Sequence, residues 1–222
     1  MAEGDRPLPG TGERVFDVRG VSAVVFDVGN VLLPWDRRAL YRGMIADEDA
    51  LDLFLSEVLT EEWHFQHDAG RPFAETSAEL IAEHPQHRAL IEVWGPRFGE
   101  TLGAPIAGMQ AIIDDLAAAG VPMFGITNFS HEFFVPVRAN HPRLFGPMRD
   151  IIVSGEERLV KPDAAIYRLA ERRFGLPASA MLFVDDRAEN IAGAEAVGMA
   201  GHLFRDAETL RRDLMARELL PA

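Results

Sequence analysis

Ser22-Ala23-Val24-Val25-Phe26-Asp27-Val28-Gly29-Asn30-Val31 is an apolar run that stops at a carboxylate and turns at Gly29-Asn30. A buried strand that carries one Asp to its C-terminal end and then turns is how an open α/β sheet presents a reactive group to the crevice above it. Asp27 is therefore the leading candidate for a nucleophile. The competing reading of a lone Asp after a strand is a turn former or helix N-cap. What the rest of the chain brings to the same edge decides between the two.

Beyond Asn30 the pattern turns helical over 37–103, with no strand candidate between. Segments 37–44 and 50–60 read as helices, the second from Leu51, Phe54, Leu55 and Val58 at three- and four-residue intervals. Helices over 73–83 and 87–98 follow, and a turn over 67–72 separates the two pairs. From Ala104 helix and strand alternate, which argues for right-handed βαβ units and a mainly parallel sheet. The expected helices there span 105–119, 164–174, 189–197 and 208–220, and the strands 121–126, 150–153, 180–184 and 200–204. The organisation is a loose arm over 1–20, a core over 21–36 and 104–222, and a helical insertion over 37–103.

With 222 residues, 48% of them hydrophobic, the chain buries a sizeable core. Its 35 acidic against 22 basic residues, a formal charge of −13, repel nucleic acid and anionic membrane and leave a small molecule as the expected partner. Cysteine is absent, which excludes a disulfide framework, a thiolate metal site and a cysteine nucleophile. The first twenty residues lack the apolar core of a signal peptide, and no run approaches the roughly 18 residues of a membrane span. A cytoplasmic monomer or homodimer is expected.

Four loops follow strands whose C-terminal ends share one edge. They carry Asp27, then Thr127-Asn128, then Lys161-Pro162-Asp163, then Asp185-Asp186. Carboxylates from two strands make a hard, oxygen-rich site suited to Mg²⁺. A carboxylate attacks a phosphoryl group when metal and cations screen the incoming charge. Thr127 offers a hydroxyl, and Lys161 a fixed positive charge for the clustered carboxylates and a transferring phosphoryl group.

These stretches, Val24-Val25-Phe26-Asp27-Val28-Gly29-Asn30-Val31, Gly125-Ile126-Thr127-Asn128, Leu159-Val160-Lys161-Pro162-Asp163 and Phe183-Val184-Asp185-Asp186-Arg187-Ala188-Glu189-Asn190, resemble the haloacid dehalogenase-like hydrolase superfamily. They occur in family order over nearly the whole chain after residue 20. The resemblance implies a Rossmann-like core, a parallel sheet flanked by helices, and a helical cap inserted after the first strand. It implies Asp27 as nucleophile, Thr127 and Asn128 at the phosphate, Lys161 as electrostatic clamp, and Mg²⁺ held by Asp27, Asp186, Asp185 and the Gly29 carbonyl, with Asp186 the more direct ligand of the acidic pair. The Gly-Asn form of the first motif is similar to a subgroup of sugar-phosphate phosphatases and 2-haloacid dehalogenases.

One position departs from the phosphatase pattern. Most phosphatases that the chain resembles carry a second Asp two residues after the nucleophile, where it protonates the leaving group and later activates water. This chain has Gly29 there. Acid–base assistance is worth about 10²–10⁴ in rate. Trp63, His64, His67, Asp68 and Arg71 cluster in the insertion as candidates for substrate contact, and a His among them is one replacement for the acid. The reading that follows is a Mg²⁺-dependent phosphatase acting on a small phosphorylated metabolite through an aspartyl-phosphate. Two alternatives stand beside it: a metal-independent 2-haloacid dehalogenase, and a binding protein whose catalysis has decayed. Adjacent carboxylates at Asp185-Asp186 repel one another unless a cation balances them, which favours the phosphatase.

Overall fold

The computed structural model describes residues 20–221, so nearly all of the expected arm lies outside the described residues. Five parallel strands, β1 (Ala23–Phe26), β2 (Met123–Thr127), β3 (Asp150–Val153), β4 (Met181–Asp185) and β5 (Ala200–Leu203), form one sheet in the order β3-β2-β1-β4-β5. The order reverses beside β1, and that switch point is where an open parallel sheet leaves a crevice at its carboxyl edge. β1 is buried throughout because the sheet is covered on both faces. Val24 and Phe26 enter one apolar cluster and Ala23 and Val25 the other, the period-2 alternation of a strand.

Between β1 and β2 the described chain contains helices and no strand. These are α1 (Arg37–Tyr41), α2 (Glu48–Leu53) running into a π-helical turn over Phe54–Val58, α3 (Glu61–Asp68), α4 (Phe73–Glu83) and α5 (Arg88–Glu92), with a 3₁₀ turn at Phe98–Thr101. α6 (Met109–Ala118) leads into β2, and α7 (His131–Asn140) and α8 (Pro142–Phe145) precede β3. The short α9 (Ser154–Glu157) follows β3, α10 (Ala164–Phe174) precedes β4, α11 (Ala188–Ala196) precedes β5, and α12 (Ala207–Ala216) follows it. α10 and α11 cover the face holding Val25 and Phe183, and the insertion with α6, α7 and α12 packs on the other.

Several elements differ from the sequence expectation. The helix expected over 87–98 stops early, because Pro96 disfavours helical backbone at Gly95. The helix expected from 105 begins at Met109, after Gly108 in the left-handed region (φ 86°). α3 occupies 61–66, a segment for which the sequence gives no element, and runs two residues into the turn expected over 67–72. Thr60 caps it, accepting a 3.0 Å hydrogen bond from the Trp63 N–H, and Glu61 and Glu62 complement its N-terminal dipole. Its buried face is Trp63, His64, His67 and Asp68, a polar set that apolar periodicity does not detect. α7 too has no counterpart in the sequence expectation, and it carries Pro136 in its interior.

Gly193, on α11, sits where the Lys161-Pro162 loop meets the helix: a Cβ there would lie 2.6 Å from the Pro162 carbonyl oxygen. Ala is the better helix former by about 1 kcal/mol, but overpacking against fixed backbone costs about 1–3 kcal/mol. Gly193→Ala is therefore expected to lower the melting temperature, measured by circular dichroism, despite its helix propensity.

Candidate active site

The register of the sheet builds the site before any side chain is considered. Phe26 pairs with Val184 on the neighbouring strand, and the Asp27 N–H donates to the Val184 carbonyl at 2.9 Å. Asp27 and Asp185 thus leave adjacent parallel strands side by side. Lys161 reaches between them: its Nζ lies 2.8 Å from Asp27 Oδ1 and 2.7 Å from Asp185 Oδ2, with 1% of its side chain exposed. A buried ammonium is tolerated only with such partners. Asp185 is also held by Asn190 Nδ2, at 3.0 and 3.1 Å to its two oxygens, and by the Arg187 N–H at 2.9 Å. Both its oxygens are therefore engaged from within the protein.

Asn128 fixes the backbone that carries the lysine. Its Oδ1 accepts from the Lys161 N–H at 2.8 Å and its Nδ2 donates to the Lys161 carbonyl at 3.0 Å. The sequence reading gave Asn128 a phosphate-binding part. The structure shows its amide joining the loop after β2 to the loop before α10, with one amide hydrogen left over.

Burial pushes the Asp27 carboxyl up to about 7; Lys161 opposes that rise and Asp185 adds to it. Lys161 is driven the other way. Burial works against its charge, and the two carboxylates more than restore it, so its pKa lies above the ordinary lysine range. Burial and then Asp185 raise Asp186, against a hydrogen bond from the Asn30 side chain. Asn30 occupies the left-handed region (φ 55°), which Asn tolerates better than most residues, and its Oδ1 accepts from the Trp35 N–H at 3.0 Å. In the sequence Asn30 reads only as a turn residue; in the structure its side chain also opposes the rise of Asp186.

One oxygen each from Asp27, Asp185 and Asp186 lie within 4.8 Å of one another. Three carboxylates converging on one point, with a single lysine among them, form a hard donor set that matches a divalent cation such as Mg²⁺. Over this cluster opens a cavity of about 560 Å³. Asp27, Gly29, Asn30, Asn128, Lys161 and Asp186 form its floor, and Trp35, Phe65, Phe98, Leu102 and Phe129 supply apolar wall. Thr127 ends β2, is buried, and is not among the lining residues. Asp185 is fully buried beneath the lining.

The insertion contributes α3 to the wall. His64 and Asp68 line the cavity, whereas His67 is buried with its Nε2 2.6 Å from Thr76 Oγ1. Trp63 packs into the aromatic cluster of the insertion and donates to the Thr76 carbonyl at 3.2 Å. Arg71 pairs with Glu79 at 2.7 Å. Of the five insertion candidates, two therefore reach the cavity. Burial drives the imidazoles of His64 to about 3 and of His67 to about 4, so both are neutral at physiological pH. A neutral imidazole keeps one N–H but is far too weak an acid to replace the missing carboxyl.

The family model for haloacid dehalogenase-like hydrolases matches residues 21–198. The chain belongs to this family. It is 26% identical over 187 residues to a sesquiterpene phosphatase, astK, of Aspergillus oryzae, covering 81% of this chain and 87% of that one. Over 95 residues it is 34% identical to an (S)-2-haloacid dehalogenase of Pseudomonas putida, covering 42% of this chain and 41% of that protein. The fold is similar to a HAD family enzyme of Bacteroides thetaiotaomicron crystallised as a magnesium complex, with TM-score 0.69 at 16% identity over 88% of this chain and 99% of that one. As a family member the protein is a hydrolase.

Removing the lysine tests the electrostatics of the floor. Breaking a buried ion pair by deleting one partner costs about 3–5 kcal/mol. In Lys161→Met the Asp27 carboxylate loses its counter-ion. An acid whose pKa in the folded state is raised destabilises that state as pH climbs through its range, so the loss is expected to be large at pH 8 and smaller at pH 5, where the carboxyl is protonated. Urea unfolding at both pH values measures it.

Proposed function

We propose that this hydrolase is a Mg²⁺-dependent phosphatase that removes phosphate from a small phosphorylated metabolite by way of an aspartyl-phosphate on Asp27. The observation that carries the reading is the convergence of Asp27, Asp185 and Asp186 around one lysine. Halide displacement from carbon has no use for that excess of negative charge, whereas phosphoryl transfer uses the cation that balances it. The magnesium in the Bacteroides neighbour and the phosphatase name of the Aspergillus relative agree with this choice.

In this reading Asp27 Oδ attacks phosphorus, the ester P–O bond breaks, and water then hydrolyses the aspartyl-phosphate. Lys161 balances the charge on the nucleophile and on the phosphoryl oxygens, and main-chain N–H groups of the loop after β2 hold those oxygens, with the buried Thr127 hydroxyl outside the cavity lining. Asp27, Asp186 and the Gly29 carbonyl would hold Mg²⁺, which would supply positive charge to the nucleophile and phosphoryl group when bound, whereas Asp185, whose acceptor sites are taken within the protein, holds Lys161. With the Mg²⁺ charge beside it Asp27 would stay ionised against the upward push of burial. The cavity lining sets the class of ester. Six carboxylic residues, Asp27, Glu61, Glu62, Asp68, Asp186 and Glu189, face two cations, Lys161 and Arg187. A second anionic group on the substrate would meet repulsion, and an uncharged, apolar organic group would meet Trp35, Phe65, Phe98 and Leu102. A cytoplasmic location and a monomeric or homodimeric state belong to the same proposal.

A panel of phosphate monoesters assayed with Mg²⁺ or EDTA checks this. Mg²⁺-dependent release of phosphate is expected, greater for neutral alkyl and prenyl esters than for phosphoglycolate, and Asp27→Asn should lose roughly 10⁴–10⁶-fold. Halide release from 2-chloropropionate in EDTA would instead establish the dehalogenase. No turnover with surviving Mg²⁺ or phosphate binding would establish the decayed binding protein.

A further inference from the structure

Asp68 is the last residue of α3, 7% exposed, and it lines the same cavity as Asp27. Its Oδ1 is buried without a hydrogen-bond partner, and its Oδ2 lies 3.7 Å from His64 Nε2, too far for a hydrogen bond. An unsatisfied buried carboxyl oxygen costs about 1–3 kcal/mol or more. A protein retains such a group where something else completes it. Its position is also fixed from the core, because Ser154 Oγ donates to the Asp68 carbonyl at 2.6 Å. Behind it the backbones pass too closely for a side chain: a Cβ on Gly155 would lie 2.9 Å from the His67 carbonyl oxygen.

We infer that Asp68 is the general acid and base of the reaction, supplied from the insertion in place of the carboxylate that Gly29 lacks. The inference rests on the phosphatase reading above. In the first step Asp27 Oδ bonds to phosphorus, the ester P–O bond breaks, and the Asp68 proton passes to the leaving oxygen to give the alcohol. In the second, the Asp68 carboxylate takes a proton from water as its oxygen attacks phosphorus. The P–O bond to Asp27 then breaks, releasing inorganic phosphate and restoring both carboxyl groups.

The groups facing Asp68 suit this role. His64 on the same helix is neutral, Asp27 and Lys161 face it from the core, and the Ser130 N–H approaches from the loop after β2. Burial, reinforced by Asp27 and opposed by the Ser130 amide and Lys161, raises the Asp68 carboxyl to about 8. At neutral pH this shift favours the protonated carboxyl.

The experiment compares esters that differ in how much their leaving group needs a proton, using the Mg²⁺-loaded protein. For the wild type, kcat is expected to vary little from an activated aryl phosphate to an alkyl phosphate. Asp68→Asn, nearly isosteric and also neutral, should lose about 10²–10⁴-fold on the alkyl ester and less than about tenfold on the aryl ester. A Cβ at Gly29 meets nothing within 4 Å, so Gly29→Asp in the Asp68→Asn background is expected to recover alkyl-ester turnover, which a merely structural role for Asp68 would not allow. A steep leaving-group dependence in the wild type overturns the inference without any variant having to fold. So does an equal loss, or no loss, on both esters in Asp68→Asn. Absence of phosphatase activity in the wild type overturns the phosphatase reading itself, a distinct result.

Discussion

The site depends on a single buried ammonium. Lys161 is almost wholly enclosed, and only the pair of carboxylates at 2.7 and 2.8 Å makes that enclosure tolerable. The dependence is mutual, since Asp27 and Asp185 lie side by side at the ends of adjacent strands and repel each other without the cation between them. Other features of the molecule serve this contact. The strand order sets β1 beside β4, Asn128 fixes the backbone of the lysine through two hydrogen bonds, and Gly193 lets the following loop lie against α11.

The division of labour within the acidic cluster follows from its hydrogen bonds. Asp185 is saturated by Lys161, Asn190 and the Arg187 amide, so its task is to hold the lysine in place. Asp27 and Asp186 face the cavity. Two carboxylates that are adjacent in sequence thus differ in kind, one internal and structural, the other available to a ligand.

What the sequence disclosed and what it hid separate along physical lines. β1 and the loops bearing Asp27, Asn128, Lys161 and Asp185-Asp186 were legible because buried parallel strands are nearly continuous apolar runs, and parallel strands deliver their ends to one edge. α3 was not, because its buried face is Trp63, His64, His67 and Asp68, and polar residues bear no apolar period. The break in the helix expected over 87–98 had a local signal at Gly95-Pro96, which the apolar pattern around it outweighed. Asn30 reads as a turn residue until its contact with Asp186 is seen. Asp68 is legible in the sequence as a candidate for substrate contact, but the part proposed for it depends on how the helices between β1 and β2 pack across the loops after β2 and β3, a long-range arrangement that no local pattern gives.

The hydrogen bond from Ser154 to the Asp68 carbonyl joins the core to the insertion at the residue whose side chain enters the cavity. Aromatic contacts continue that seam, with Phe98 of the insertion stacked on Phe133 at 4.8 Å and close to Phe129 at 5.3 Å. Any hinge that parts this seam withdraws the Asp68 carboxyl from Asp27 in the same motion. On the proposed mechanism, exclusion of bulk water and the joining of Asp68 to the site of Asp27 are then one event, so an open enzyme is also an incomplete one. A reactive acyl phosphate formed in the closed state would be guarded by the same bond that positions the group poised above it.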